Sequence, residues 1–336
     1  MGQGFPLPLL NESHQMIKKL IPAAVLLSLF GAAQAEVSIY GLADVSYGKS
    51  LTDAATNGKS ASFHSGGDGD QGNSATKVGL KGSTEVSKGL TANFQLETNG
   101  IKSNLTMDTP YFNRAAWAGL SGSFGEVRLG RQDSVAFQTM IGFDSNGAAN
   151  IASAQGNAGV ATWGPGRQTS SLQYIAPEMK GFKAQFALNA KDSDNIDNNK
   201  ANYAFGLTYT AGPLSAAVTA ATASTEAGKS FASVAASYDF KVAKAMVGYA
   251  DGSDDKGVVF KGATVGIVAP VAGYNVGLNY SKNSESTAAA TEFFVNREVY
   301  KNTYGYLDIG TKSVDTVGTV LATKNTGYAV GVIYTF

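Results

Sequence analysis

The sequence predicts an all-β chain, a 16-stranded antiparallel transmembrane β-barrel. Three observations carry that expectation: a period of two in hydrophobicity, an alternation of short and long connections, and the composition. The chain holds 40 Gly, 8 Pro, 15 Tyr and 17 Phe, with 15% charged residues and a mean hydropathy of −0.07. Membrane helices would raise the hydropathy well above that value. A barrel leaves it ordinary, because half of each strand faces a polar lumen.

The first element is an export signal. Met16-Ile17-Lys18-Lys19 precedes the apolar run Leu20–Ala33, and Ala33-Gln34-Ala35 follows it. The run contains Pro22 and is shorter than the roughly 20 residues a bilayer-spanning helix needs. A basic segment, a short apolar segment and a small-residue site make a cleavable signal, with cleavage expected after Ala35. Residues 1–15 read as an extension ahead of the natural start at Met16. Residues 1–35 are therefore set apart from residues 36–336, which read as one barrel domain. Without Lys18, Lys19 and Glu12, the remainder carries 24 basic and 25 acidic residues, a formal charge of −1. That balance points away from nucleic acid. With 0 Cys, disulfides, thiolate metal sites and cysteine nucleophiles are excluded.

The alternating segments follow in order. Leu90, Ala92, Phe94 and Leu96 alternate with Thr91, Asn93, Gln95 and Glu97. Phe182, Ala184, Phe186 and Leu188 alternate with Lys183, Gln185, Ala187 and Asn189, and Tyr203–Thr210 and Tyr274–Ser281 repeat the pattern. Each has the length of a tilted membrane strand, about 9–11 residues. Aromatics such as Phe182, Tyr203, Tyr209, Tyr274 and Tyr280 sit at the ends of the apolar faces, as in the girdles at the two membrane interfaces. A soluble sandwich also alternates, but it buries its apolar face and has no reason to repeat this placement. The final segment puts Tyr328, Val330, Val332, Tyr334 and Phe336 on one parity. An apolar terminal strand would fray in water but can close a ring in lipid.

Seven short connections fall near residues 86–89, 122–125, 176–181, 211–213, 239–242, 269–273 and 300–303. Eight longer polar ones fall near 48–73, 100–112, 132–166, 192–201, 224–230, 251–257, 282–289 and 312–325. Fifteen joints give sixteen strands, from 37–47 to 326–336. An even number lets the first and last strands pair antiparallel, with short turns on one side of the membrane and long loops on the other.

At this point particular residues carry a resemblance. Residues 38–44 (SIYGLAD), 78–85 (VGLKGSTE), 89–97 (GLTANFQLE), 112–122 (FNRAAWAGLSG), 124–132 (FGEVRLGRQ) and 334–336 (YTF) resemble the Gram-negative general porins, especially the β-proteobacterial type. The resemblance spans essentially all of 36–336 and is most specific over 78–132. It implies an outer-membrane homotrimer whose third extracellular loop folds inward to form a constriction, leaving a water-filled channel for passive diffusion of ions and small hydrophilic solutes. It implies no enzyme activity, cofactor, metal or nucleic acid. The partners it implies are outer-membrane lipid, lipopolysaccharide and the barrel-assembly machinery, with Phe336 as the assembly signal. One departure concerns the third loop, which in the family often carries an acidic Pro-Glu-Phe-Gly-like sequence. Residues 132–166 hold only Asp133 and Asp144 as acids, and Phe143-Asp144 is the nearest counterpart.

A diffusion pore needs fixed charges in a narrow polar passage, not a nucleophile. Parity places Lys77 and Lys81 on the lumen side, and strand position adds Arg114, Arg128 and Arg167. Arg131 shares the phase of Val127 and Leu129 and needs a bulge or a strand end to reach the lumen. The acidic candidates are Glu85, Glu97, Glu126, Asp133 and Asp144. Lys183 and Lys191 read as nearer the mouths. The excess of basic candidates leans toward mild anion preference. Solvated charges, or ion pairs that hold the loop to the wall, are the plainer reading of each.

Three other classes fit the same residues less well. A barrel hydrolase needs a base, and outside residues 1–35 the chain has one His, His64, in a Gly- and Asp-rich loop with Asp68 and Asp70. A solvated histidine is the simpler reading, and Asp68 and Asp70 lack the full ligand set of a calcium loop. A plugged structural or adhesive barrel would conduct nothing. A substrate-specific anion porin is the third; sugar channels line their path with aromatics, whereas the aromatics here mostly have outward parity, with Phe260 and Phe294 as exceptions.

Overall fold

The structure is a computed structural model that describes residues 36–51, 61–66, 72–149, 151–191, 199–253, 257–315 and 322–336. Expectations that fall on residues 1–35, and on Asp68 and Asp70, lie outside the described residues.

Its strands are β1 (Glu36–Lys49), β2 (Ser62–Ser65), β3 (Lys77–Ser87), β4 (Leu90–Glu97), β5 (Ala115–Gly122), β6 (Gly125–Asp133), β7 (Arg167–Ile175), β8 (Phe182–Asn189) and β9 (Asn202–Ala211). They continue as β10 (Leu214–Ala221), β11 (Phe231–Asp239), β12 (Lys244–Ser253), β13 (Val259–Val271), β14 (Tyr274–Asn283), β15 (Ala289–Tyr300), β16 (Thr303–Val314) and β17 (Thr323–Thr335). From β3 onward each strand pairs antiparallel with the next, and β1 pairs with both β3 and β17. The ring is thus closed by sixteen long strands, β1 and β3–β17. All seven short connections lie where the sequence places them. The Ala272-Gly273 turn has positive φ at both residues (50° and 81°), the backbone twist that suits a two-residue hairpin.

The structure adds one strand that the sequence reading assigned to loop. β1 outruns β3, whose register begins at Leu42↔Lys77, so the upper part of β1 needs another partner. β2 supplies it, with Val45↔Ser65 through Gly48↔Ser62. Unpaired backbone on a strand edge is costly wherever water cannot reach it.

Register sorts the side chains. Val45 pairs with Val332 and Tyr47 with Val330, all on the exposed row. Ile39 (67% exposed), Leu129 (63%) and Val330 (54%) show how far apolar groups cover the outer surface. Outward-facing polar charge on such a barrel costs about 2–4 kcal/mol at the bilayer midplane.

Four cross-strand pairs set an aromatic ring against a glycine: Tyr40↔Gly79, Gly82↔Phe94, Gly277↔Phe294 and Tyr306↔Gly331. A Cβ on Gly331 would meet the Tyr306 ring at 2.5 Å, and one on Gly277 would meet Phe294 at 2.2 Å. These glycines are seats for the rings that lie across them. Gly331→Val is expected to push Tyr306 aside and cost about 1–3 kcal/mol. The check is the temperature at which the folded, heat-resistant form is lost; no change would remove this role for the pair.

The packed interior is not between two sheets. It lies between residues 134–166 and the strands. This segment carries α1 (Val135–Met140), a 3₁₀ turn (Ile141–Phe143) and α2 (Ala154–Ala158). Ser134 Oγ accepts from Phe137 N at 3.0 Å and Ser153 Oγ from Gly156 N at 3.1 Å, and Gly159 ends α2 with φ +67°. These are ordinary caps that satisfy helix-end groups. α1 packs on β8–β11 and α2 on β14–β16. Met140 and Phe143 pack with Ala217 and Ala235; Ile151 and Ala152 with Tyr306 and Ala329; Ala154, Ala158 and Val160 with Ala290. Every strand residue in those clusters has the parity opposite to the exposed row. The wall there is small-sided: a Cβ on Gly206 would lie 2.2 Å from Thr139 Oγ1, and one on Gly310 would lie 3.0 Å from Ala152 Cα.

Candidate functional site

One side of the barrel, β3–β7, gathers the cations. Lys77 points inward from β3 and lies 3.6 Å from Glu97 Oε1. Arg114, just before β5, bonds the same carboxylate through Nε and continues the backbone ladder with Arg114 N donating to Glu97 O at 3.2 Å. Tyr40 OH donates to Glu97 Oε2 at 2.6 Å. Gln95 Nε2 donates to Tyr40 OH at 2.5 Å, and Trp117 Nε1 donates to Gln95 Oε1 at 3.0 Å. Glu97 is only 5% exposed, and two cations plus a phenol offset the cost of burying its charge. Arg128 pairs with Glu126 at 2.8 Å and lies over Trp117, 4.3 Å from the ring centroid. Lys81 lies over Tyr40 at 5.2 Å. Arg167 Nε is 3.4 Å from Asp133 Oδ1.

Arg131 donates through Nε to the Asn113 carbonyl. The β6–β7 register shifts between Gly130 and Gln132, so the strand is irregular where Arg131 sits. Six cations (Lys77, Lys81, Arg114, Arg128, Arg131, Arg167) therefore share this wall with three carboxylates (Glu97, Glu126, Asp133). At its edge is a cavity of about 50 Å³ lined by Gln95, Glu97, Arg114, Trp117, Arg128, Asp133 and Gln138. Gln138 comes from α1, where its Nε2 donates to Asp133 O at 2.7 Å and to Gln173 Oε1 at 2.9 Å.

The opposite side holds the loop by carboxylates and amides. Asn146 Nδ2 donates to Glu292 Oε1 at 2.8 Å and to Asp308 Oδ1 at 3.0 Å. Glu292 Oε2 accepts from Ala154 N at 3.1 Å and from Asn279 Nδ2 at 2.9 Å. Asn73 Nδ2 donates to Asp308 Oδ2 at 2.9 Å, and Asp44 accepts from Tyr306 OH at 2.7 Å and from Asn73 N at 2.8 Å. Ser145 Oγ lies 2.6 Å from Asn279 Oδ1, and Ser233 Oγ donates to Thr162 O at 2.7 Å.

Two of the expected acids stand apart from the cationic wall. Asp144 is 6% exposed and turned into the loop, accepting from Asn146 N at 2.9 Å and Gln155 Nε2 at 3.2 Å. Burial pushes its carboxyl above the ordinary range. Glu85 lies at the β3–β4 hairpin, exposed, where it accepts from Gly89 N at 2.8 Å; a strand-end carboxylate finds its nearest donors in the turn. The loop's free face, Phe137, Gln138, Ile141 and Gly142, is uncharged.

Sequence reasoning missed Tyr40, Gln95, Trp117 and Gln138, and the whole carboxylate–amide seat. Parity was the available signal for three of them: Tyr40 is out of phase with Ile39, and Gln95 and Trp117 with Phe94 and Ala118. Phe294, named as an inward exception, is fully buried, and Phe260 packs edge-on to Phe231 at 6.4 Å. Phe336 N donates to Gly41 O at 3.1 Å and Gly41 N to Phe336 O at 3.0 Å.

A family model described as Gram-negative porin matches residues 23–316. The outer membrane porin protein 32 of Delftia acidovorans is 31% identical over 246 residues, 68% of this chain and 68% of that protein. An outer membrane porin protein of Bordetella pertussis is 30% identical over 271 residues, 71% of this chain and 70% of that one. Among solved structures, the anion-selective porin from Comamonas acidovorans has the same fold, with a TM-score of 0.70 at 22% identity, covering 90% of this chain and 100% of that one. With its closed sixteen-stranded ring and a family match over most of its length, the chain belongs to the Gram-negative porins, channel-forming proteins of the outer membrane.

Proposed function

We propose that this porin is a passive diffusion channel with a preference for anions, and that residues 134–166 form its constriction against the β3–β7 wall. The observation that carries the reading is the charge asymmetry: six cations and three carboxylates on the wall, facing a loop whose single charge, Asp144, is buried away from it. Fixed charge of one sign in a narrow passage raises the local concentration of counter-ions and repels co-ions. The anion-selective relative from Comamonas and the contacts of the loop with inward-parity residues support it.

Several further parts belong to the same proposal. The channel works as a homotrimer in contact with outer-membrane lipid and lipopolysaccharide. Residues 1–35 are removed on export, and Phe336 is read by the barrel-assembly machinery. No enzymatic role is assigned: His64 is held by Ser62 Oγ at 2.7 Å on the short strand β2.

The test is the reversal potential of purified protein in a planar bilayer under a KCl gradient. Chloride is expected to permeate better than potassium. Potassium preference would overturn the anion reading, and absence of any conductance would favour a plugged structural barrel.

A further inference from the structure

The loop side of the passage is apolar. α1 packs Val135, Ala136, Thr139 and Met140 against the strands. Phe137, on the opposite face of the same helix, and Ile141, which caps it and opens the 3₁₀ turn, are half-buried and outside that contact. Gln138, on the same face, shares its cavity with Arg114 and Arg128, which sets the direction: this face of α1 looks at the cationic wall.

The wall is not bare charge either. Arg128 lies over the Trp117 ring and Lys81 over the Tyr40 ring. A solute between the two sides meets guanidinium and ammonium groups next to aromatic faces, with hydrocarbon opposite. No carboxylate stands on the loop face to complete a transverse field, so water in the gap is less strongly oriented and apolar groups are less strongly expelled from it.

We infer that this constriction favours amphiphilic organic monoanions, carboxylates bearing a short hydrocarbon or aromatic group, over hydrophilic anions of equal charge and similar size. The inference rests on the proposed reading of 134–166 as the constriction and of the β3–β7 wall as its attractive side. The carboxylate is drawn to the guanidinium groups. Its hydrocarbon part leaves water for Phe137 and Ile141, a gain that chloride or a hydroxylated anion does not have. Phe137 and Ile141 are thereby specificity-determining residues.

The experiment uses the full protein in planar bilayers, with potassium chloride on one side and potassium butanoate, lactate or benzoate on the other. Butanoate and lactate have the same charge and nearly the same size, so their permeability ratio isolates the apolar term. Butanoate is expected to exceed lactate by about threefold, with benzoate at least equal to butanoate. In Phe137→Ser/Ile141→Ser the butanoate-to-lactate ratio is expected to fall to about one. Phe137→Gln alone carries the same test if the double variant yields no folded protein. Equal permeability of butanoate and lactate in the unmodified channel, or a ratio unmoved by the substitutions, would overturn the inference. The wild-type KCl reversal potential reports separately on the wall: cation preference there would sink the charge reading itself, whatever the organic anions do.

Discussion

Deleting Phe336 is expected to lower the amount of folded, heat-resistant barrel on the order of tenfold, because an unsatisfied backbone group in lipid costs several kcal/mol. Phe336 makes the last rung of the seam, with one backbone hydrogen bond to Gly41 in each direction, at 3.0 and 3.1 Å. Its ring covers the same residue so closely that a Cβ on Gly41 would lie 2.4 Å from it. Deletion bares the Gly41 amide and carbonyl and removes the ring together. Phe336→Ala keeps the backbone bonds and is expected to fall between wild type and the deletion. Heat-modifiable electrophoretic mobility of membrane fractions reads both. Wild-type yield from the deletion would overturn both the rung and the proposed assembly signal.

Glu292→Ala is expected to free the loop. Its two oxygens hold Asn146, Ala154 and Asn279, so the substitution strands three donors, each costing about 1–3 kcal/mol when left unsatisfied. Single-channel records should show greatly increased open-channel noise and a conductance raised about twofold, as a displaced loop widens the passage. Glu292→Gln retains one acceptor and should be milder. Quiet, unchanged currents in Glu292→Ala would mean that the loop is held elsewhere. Asp144 adds a pH dependence whose sign follows from its environment. Burial favours its neutral form in the seated loop, so the contribution of Asp144 is fully present at acid pH and is lost as pH rises through its elevated pKa. Asp144→Asn is expected to abolish that dependence.

The strand pattern was legible because it is local. Val330, Val332 and Tyr334 declare their face by alternation alone, and six of the seven short connections carry Gly, Asn or Pro; the seventh, 239–242, turns on Asp239, whose Oδ1 accepts from Lys241 N at 2.7 Å. The seat of the loop was not legible, because its bonds join residues far apart in sequence. Asn73 reaches Asp308, and Tyr306 reaches Asp44 across 262 positions. Tyr40, beside Ile39, and Trp117, between two alanines, carry no charge to mark a lumen role, although their parity sets both opposite the exposed row. The short strand β2 was missed for a related reason. Ser62-Phe63-His64-Ser65 has no compelling pattern of its own and is strand only because β1 leaves an edge beside it. Asp144 read as a pore acid by its place in the loop, but nothing local reveals that Asn146 and Gln155 draw it inward.

The seat has a consequence for the order in which the channel matures. Residues 134–166 precede β15–β17 in the chain, yet Glu292, Asp308 and Ala329, which hold their second half, lie on those last strands. α1 rests on β8–β11, whereas Asn146, Ile151 and Ala154 have these partners on β15–β17. The second half of the segment therefore needs the last strands before it can be seated. Once docked, the segment and Asn73 tie β1, β15 and β16 together from within, so the part proposed to narrow the passage also acts as a clasp near the joint between the first and last strands.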